Sequence, residues 1–78
     1  MTDKEITRHT RAKPFRAFRI RMNSGQTYEI RHPEMVVVGK RDMFIFDYVS
    51  DDPAVYDRWE NISLVLIESI VPLETSVA

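Results

Sequence analysis

The chain has 78 residues, 44% of them hydrophobic and 29% charged, with no cysteine and a formal net charge of −1. That length allows one domain with a small core, burying roughly 60–65% of the surface an unfolded chain exposes, and the lack of cysteine excludes disulfide staples. No apolar run approaches the ~20 residues of a membrane span and the first residues lack the apolar centre of a signal peptide, so a soluble cytoplasmic protein without membrane contact is expected.

Residues 2–12 have the start signal of a short helix. Thr2 followed by Glu5 matches a capping box, and Pro14 ends any helix by Lys13. Ile6 is nearly the only large apolar residue there, so the helix either frays or docks Ile6 over one end of the fold. The expected organisation is an N-terminal segment over residues 1–13, a β domain over 14–74 and a tail over 75–78.

Phe15 to Arg31 carries the most specific pattern. Phe18, Ile20 and Met22 alternate with Arg19 and Arg21; beyond a Gly turn, Tyr28 and Ile30 alternate with Thr27, Glu29 and Arg31. Both read as half-buried strands of a hairpin. A two-residue loop would set Ile20 against Glu29. A three-residue loop of Asn23, Ser24 and Gly25 pairs Phe18 with Ile30, Ile20 with Tyr28 and Arg19 with Glu29. The second register separates apolar from charged side chains and gives Gly25 the left-handed position such a loop requires.

Arg31-His32-Pro33-Glu34 reads as a corner, because proline holds His32 extended and donates no ladder bond. Met35–Val38 and Met43–Tyr48 form a second hairpin about a turn at Gly39–Asp42, with Phe44 and Phe46 on one face and Ile45 on the other. Ser50–Pro53 is an acidic loop. Val55–Asn61 is a further strand, with Trp59 read as its core anchor. Ser63 is placed to cap a single turn over Leu64–Leu66, and a last strand runs from about Glu68 to Leu73, with Pro72 marking an edge.

Five or six short strands with a helical turn before the last describe a mainly β, strongly bent antiparallel barrel. The order resembles SH3-like barrels and, within them, Sm-like domains; Ile67-Glu68-Ser69-Ile70-Val71-Pro72 is similar to the closing strand of the Hfq-type Sm proteins. Lys13–Ile20, Asn23–Gly25 and His32–Glu34 also resemble a group of short bacterial proteins sharing a Pro-Phe-Arg-x-Phe-Arg opening, a glycine turn and a His-Pro-Glu corner. That likeness transfers no activity.

No residue set assembles a recognisable chemistry. His32 and Glu34 are the only local His/carboxylate combination, and the one other histidine, His9, lies far away in the sequence. Without convergent partners neither a general base nor a metal site is expected there. Asp51 and Asp52 lack the glycine-punctuated loop of a calcium site. The serines sit in no nucleophile motif, and Gly25 and Gly39 are too few for a phosphate cradle. The expectation is a non-enzyme with no cofactor, no metal and no small-molecule substrate.

Binding is the remaining class. Residues 1–41 hold ten Lys/Arg against four Asp/Glu, a balance of +6, and residues 42–78 hold one Arg against eight acids, a balance of −7. Such asymmetry points to charge-driven assembly or nucleic-acid contact. Arg19, Arg21 and Arg31 share the outer face of the first hairpin. With Arg16 they make a candidate guanidinium strip for phosphates or an acidic protein surface, broken by Glu29, which is placed to pair with Arg19. Tyr48 and Tyr56 are candidate contact residues near the acidic loop. The preferred reading is association with a second copy or a larger complex, aided by an open edge near Glu68–Leu73. The alternative is an Sm-like module that binds RNA on the arginine strip.

Overall fold

A computed structural model describes residues 1–48 and 56–73. The Ser50–Pro53 loop, Val55 and the 75–78 tail expected from the sequence lie outside the described residues. One short helix precedes six strands in two three-stranded antiparallel sheets.

Helix α1 spans Asp3–Thr10 and is closed by the expected capping box. The Glu5 N–H donates to Thr2 Oγ1 at 3.3 Å, and the Glu5 carboxylate accepts the Thr2 N–H at 3.2 Å. The Thr2 N–H and then the Thr2 hydroxyl, both donating to the Glu5 carboxylate, hold it below its ordinary range. The helix does not lack a seat: Ile6 is 0% exposed and belongs to the core. His9 packs on the Phe18 ring at a centroid distance of 5.3 Å, so it serves here as a packing residue.

The first sheet runs β2–β1–β6, with β1 at Phe18–Met22, β2 at Thr27–Ile30 and β6 at Ile67–Pro72. Its hairpin has the three-residue loop: Phe18 pairs with Ile30, Arg19 with Glu29 and Ile20 with Tyr28. The Gly25 N–H donates to the Met22 carbonyl at 2.9 Å, and Gly25 has φ +95°. Parity then sends Phe18, Ile20, Met22 and Ile30 inward, all buried, with Tyr28 half-buried beside them. β6 is an edge strand, as Pro72 implies.

The second sheet runs β3–β4–β5, with β3 at Val36–Val38, β4 at Asp42–Tyr48 and β5 at Tyr56–Ser63. The corner at Pro33 is one 3-10 turn, Pro33–Met35. Met43 and Ile45 face the core with Val36 and Ile62. Phe44 and Phe46 lie on the opposite face, because successive residues of a strand point to opposite sides.

Two expectations are corrected. Trp59 is not a core anchor: it pairs with Phe46 on the outer side of the sheet and is 51% exposed. Trp59 and Ile62 are three residues apart in one strand and so face opposite ways, and Ile62 takes the core position. Ser63 precedes the 3-10 turn Leu64–Leu66 as expected, but its side chain makes no capping bond. The turn is held by backbone instead. The Leu64 N–H donates to the Arg41 carbonyl and the Asn23 N–H to the Leu66 carbonyl, each at 2.9 Å, which ties a turn of each sheet to the same three residues.

Among the described residues no strand pairing joins one sheet to the other, and no helix is long and apolar enough to cross a membrane. A side-chain bond also spans the sheets. The Tyr28 phenol donates to Glu60 Oε2 at 2.5 Å, from β2 to β5.

Candidate association surface

Of the arginines singled out from the sequence, Arg19 and Arg21 lie in β1, Arg16 precedes it and Arg31 follows β2, and most of them have acidic partners. Arg19 Nη2 lies 2.8 Å from Glu29 Oε2, and Arg31 Nη2 lies 2.7 Å from Glu29 Oε1. One carboxylate thus bridges two guanidinium groups. The bonds from Arg19 and then Arg31 lower the Glu29 carboxyl from 4.5. Arg21 Nε sits 3.7 Å from Glu68 Oε1. Arg16 is exposed and makes no ion pair among the described residues. The strip is therefore a lattice of alternating charge, whose attraction for a further anion is reduced at each bridge.

The outer face of the second sheet has a different character. Register places Val37 beside Phe44 and Phe44 beside Asn61, with Phe46 beside Trp59 in the next row. The Phe44 and Trp59 rings are 5.3 Å apart at 58°, and the Phe44 and Phe46 rings 6.3 Å apart at 25°. These are the tilted and offset geometries that the ring quadrupoles favour. Val37 is 57% exposed at one side and Trp59 half exposed at the other.

The two central rows of this face carry no charge. At one end Asp42 accepts a 2.9 Å bond from Asn61 Nδ2; Asp57 is exposed at the other end. An apolar aromatic centre with a polar rim is the anatomy of a protein interface. The face reads as three strands that cover the core with one side and leave Val37 and Trp59 exposed on the other.

Sequence reasoning missed this surface by assigning Trp59 to the core. The signal was present in the odd spacing of Trp59 and Ile62, and in Phe44 and Phe46 sharing a parity opposite to Met43 and Ile45. Tyr48 and Tyr56 are backbone partners at the far end of β4 and β5. Their side chains lie outside what is described. His32 and Glu34 are both exposed, and among the described residues no three His, Cys, Asp or Glu converge as a metal site.

Family models, curated proteins and solved structures compared with the chain give no match.

Proposed function

We propose that this protein is a small cytoplasmic β module that works by association rather than catalysis, docking the outer face of β3, β4 and β5 against a second copy of itself. The observation that carries this reading is the half-exposed Trp59 packed against Phe44 on an uncharged sheet face. Burying about 100 Å² of remaining indole surface is worth roughly 2–3 kcal/mol per copy. Because no charge occupies the central rows, two copies related by a twofold axis bring no like charges together there. The edge strand β6 favours the same reading, since among the described residues no strand pairs with its outer backbone groups. A small core without disulfides also gains more from assembly than a large one.

We read the two sheets as the halves of an SH3-like, Sm-like barrel. The order of a helix, five strands with a 3-10 turn after the second, a further 3-10 turn and a closing strand supports that reading. RNA binding on Arg16, Arg19, Arg21 and Arg31 has less support, because Glu29 and Glu68 already occupy three of those four guanidinium groups.

Trp59 is the only tryptophan, so its fluorescence reports on this face alone. Size-exclusion chromatography with light scattering at roughly tens of micromolar should give a dimer. Dilution should shift emission to the red as the face becomes wet, and Trp59→Ala should yield a folded monomer. A strict monomer whose emission is unchanged on dilution overturns self-association and leaves the face to a different protein.

A further inference from the structure

The arginine strip is bridged by acids, so the unmatched positive charge of the N-terminal half lies elsewhere. Lys4, Arg8 and Arg11 are exposed, and their side chains make no hydrogen bond or ion pair among the described residues. At positions i, i+4 and i+7 they fall within about 60° of one another around the helix and span roughly 10 Å along its axis. Ile6 points the opposite way, into the core. Lys40 and Arg41, in the turn between β3 and β4, are also exposed and unpaired. They line a shallow recess that includes Asp3, and Asp3 also lines the recess along the Lys4–Arg8–Arg11 row. The row and the turn are therefore one continuous surface.

Two acids belong to this surface. Glu5 is turned back into the capping box, where its carboxylate accepts from the Thr2 N–H and hydroxyl. Asp3 sits between the row and the turn. Five cations thus face one free carboxylate. Helix stability accounts for only part of this arrangement. Arg8 and Arg11 suit the negative end of the helix dipole, whereas Lys4 stands in the first turn, where the dipole opposes a cation.

We propose that this surface, Lys4, Arg8 and Arg11 with Lys40 and Arg41, binds the phosphate backbone of single-stranded nucleic acid without reading its sequence. Three of the five are guanidinium groups, whose forked donors fit phosphate oxygens. The helix row presents no large apolar side chain, which argues against a membrane surface needing an apolar helix face; the recess beside Lys40 and Arg41 exposes Val65, so an acidic peptide anchored there is the competitor that the test includes. A flexible strand can follow a row and a turn that belong to separate elements.

The test is fluorescence anisotropy of a labelled oligouridylate titrated with the full chain. Five phosphate contacts on a single strand give a log–log salt slope of about −3.5, and the affinity falls about a hundredfold between 50 and 200 mM salt. Lys4→Gln/Arg8→Gln/Arg11→Gln, which keeps residues of similar helix propensity, leaves two contacts and only about a sevenfold fall over that range. Circular dichroism confirms that the variant is folded. Arg19→Gln/Arg31→Gln should leave the slope unchanged. No binding at 50 mM salt, an unchanged slope in the helix variant, or a slope lost in the strip variant overturns the proposal. Tighter binding of polyglutamate or of anionic phosphatidylserine vesicles than of oligouridylate also overturns it.

Discussion

Replacing Gly25 tests the frame on which both surfaces depend. The residue has φ +95°, and a Cβ built there meets nothing within 4 Å. A substitution consequently brings no steric clash with its surroundings, and its whole cost is conformational. For an ordinary L-residue the left-handed region costs about 1–2 kcal/mol, for a β-branched one up to about 3 kcal/mol, and for asparagine less than either. Gly25→Asn, Gly25→Ala and Gly25→Val should therefore destabilise in that order, the last by about 2–3 kcal/mol. A chain of this size has roughly 4–12 kcal/mol in total, and each kcal/mol moves the melting temperature of a small domain by about 4–8 °C. Urea and thermal unfolding followed by circular dichroism will resolve these steps. The decisive comparison is Asn against Ala. If alanine is tolerated better than asparagine, side-chain size rather than backbone conformation sets the cost. If valine is as stable as glycine, the three-residue loop is wrong.

Ile6→Ala removes a fully buried side chain from the helix–core contact and should cost about 2–4 kcal/mol by urea denaturation, enough to undock α1. Tyr28→Phe removes the phenol that bonds Glu60 between the sheets and should cost about 1 kcal/mol. Burial first, then that bond and the Glu60 charge, push the Tyr28 phenol from 10.0 up to about 12. Its contribution to stability is therefore full below pH 10 and is lost as pH rises toward 12, so alkaline melts of the wild type and the Phe variant should converge there. Glu29 shows the opposite sign. Its lowered carboxyl contributes above 4.5 and loses that contribution as pH falls below it, so the melting difference between wild type and Glu29→Gln should shrink on acidification. A difference that stays constant with pH would show that neither Arg19 nor Arg31 stabilises the folded carboxylate.

The first hairpin was legible because its register could be tested by parity. Only one loop length puts Phe18 against Ile30 and Arg19 against Glu29, and the observed pairing is that one. The capping box at Thr2 and Glu5 was legible for a similar reason, since two residue types at one spacing satisfy each other's backbone. The second sheet was harder. An apolar run such as Met43–Phe46 has no polar side to mark its outward face, so periodicity alone leaves Phe44 and Ile45 equivalent. The choice depends on which residues of β5 lie opposite, a pairing that spans a segment with no turn signature of fixed length. Trp59 was misassigned on size, although Ile62 carried the competing claim to the core. The arginine strip was read correctly as outward-facing. Sequence spacing could not show that Glu29 would take Arg19 across the ladder and Arg31 along its own strand at once. The helix row was overlooked because one large apolar residue left fraying and docking both open, and only a docked helix has a fixed outer face.

Salt separates the two surfaces without any substitution. Docking through Val37, Phe44 and Trp59 removes apolar area from water, a contribution that ordinary salt leaves unchanged and excluded salts such as sulfate strengthen. Contact of phosphates with Lys4, Arg8, Arg11, Lys40 and Arg41 releases counterions, and it weakens with every increment of salt. The groups lie on separate elements, the first on β3, β4 and β5 and the second on α1 and the turn before β4. A dimer that persists while oligouridylate is released on adding salt assigns each activity to its own face. If dimer and nucleic acid are lost together, the cations hold the copies together as well, and the aromatic face is not what joins them.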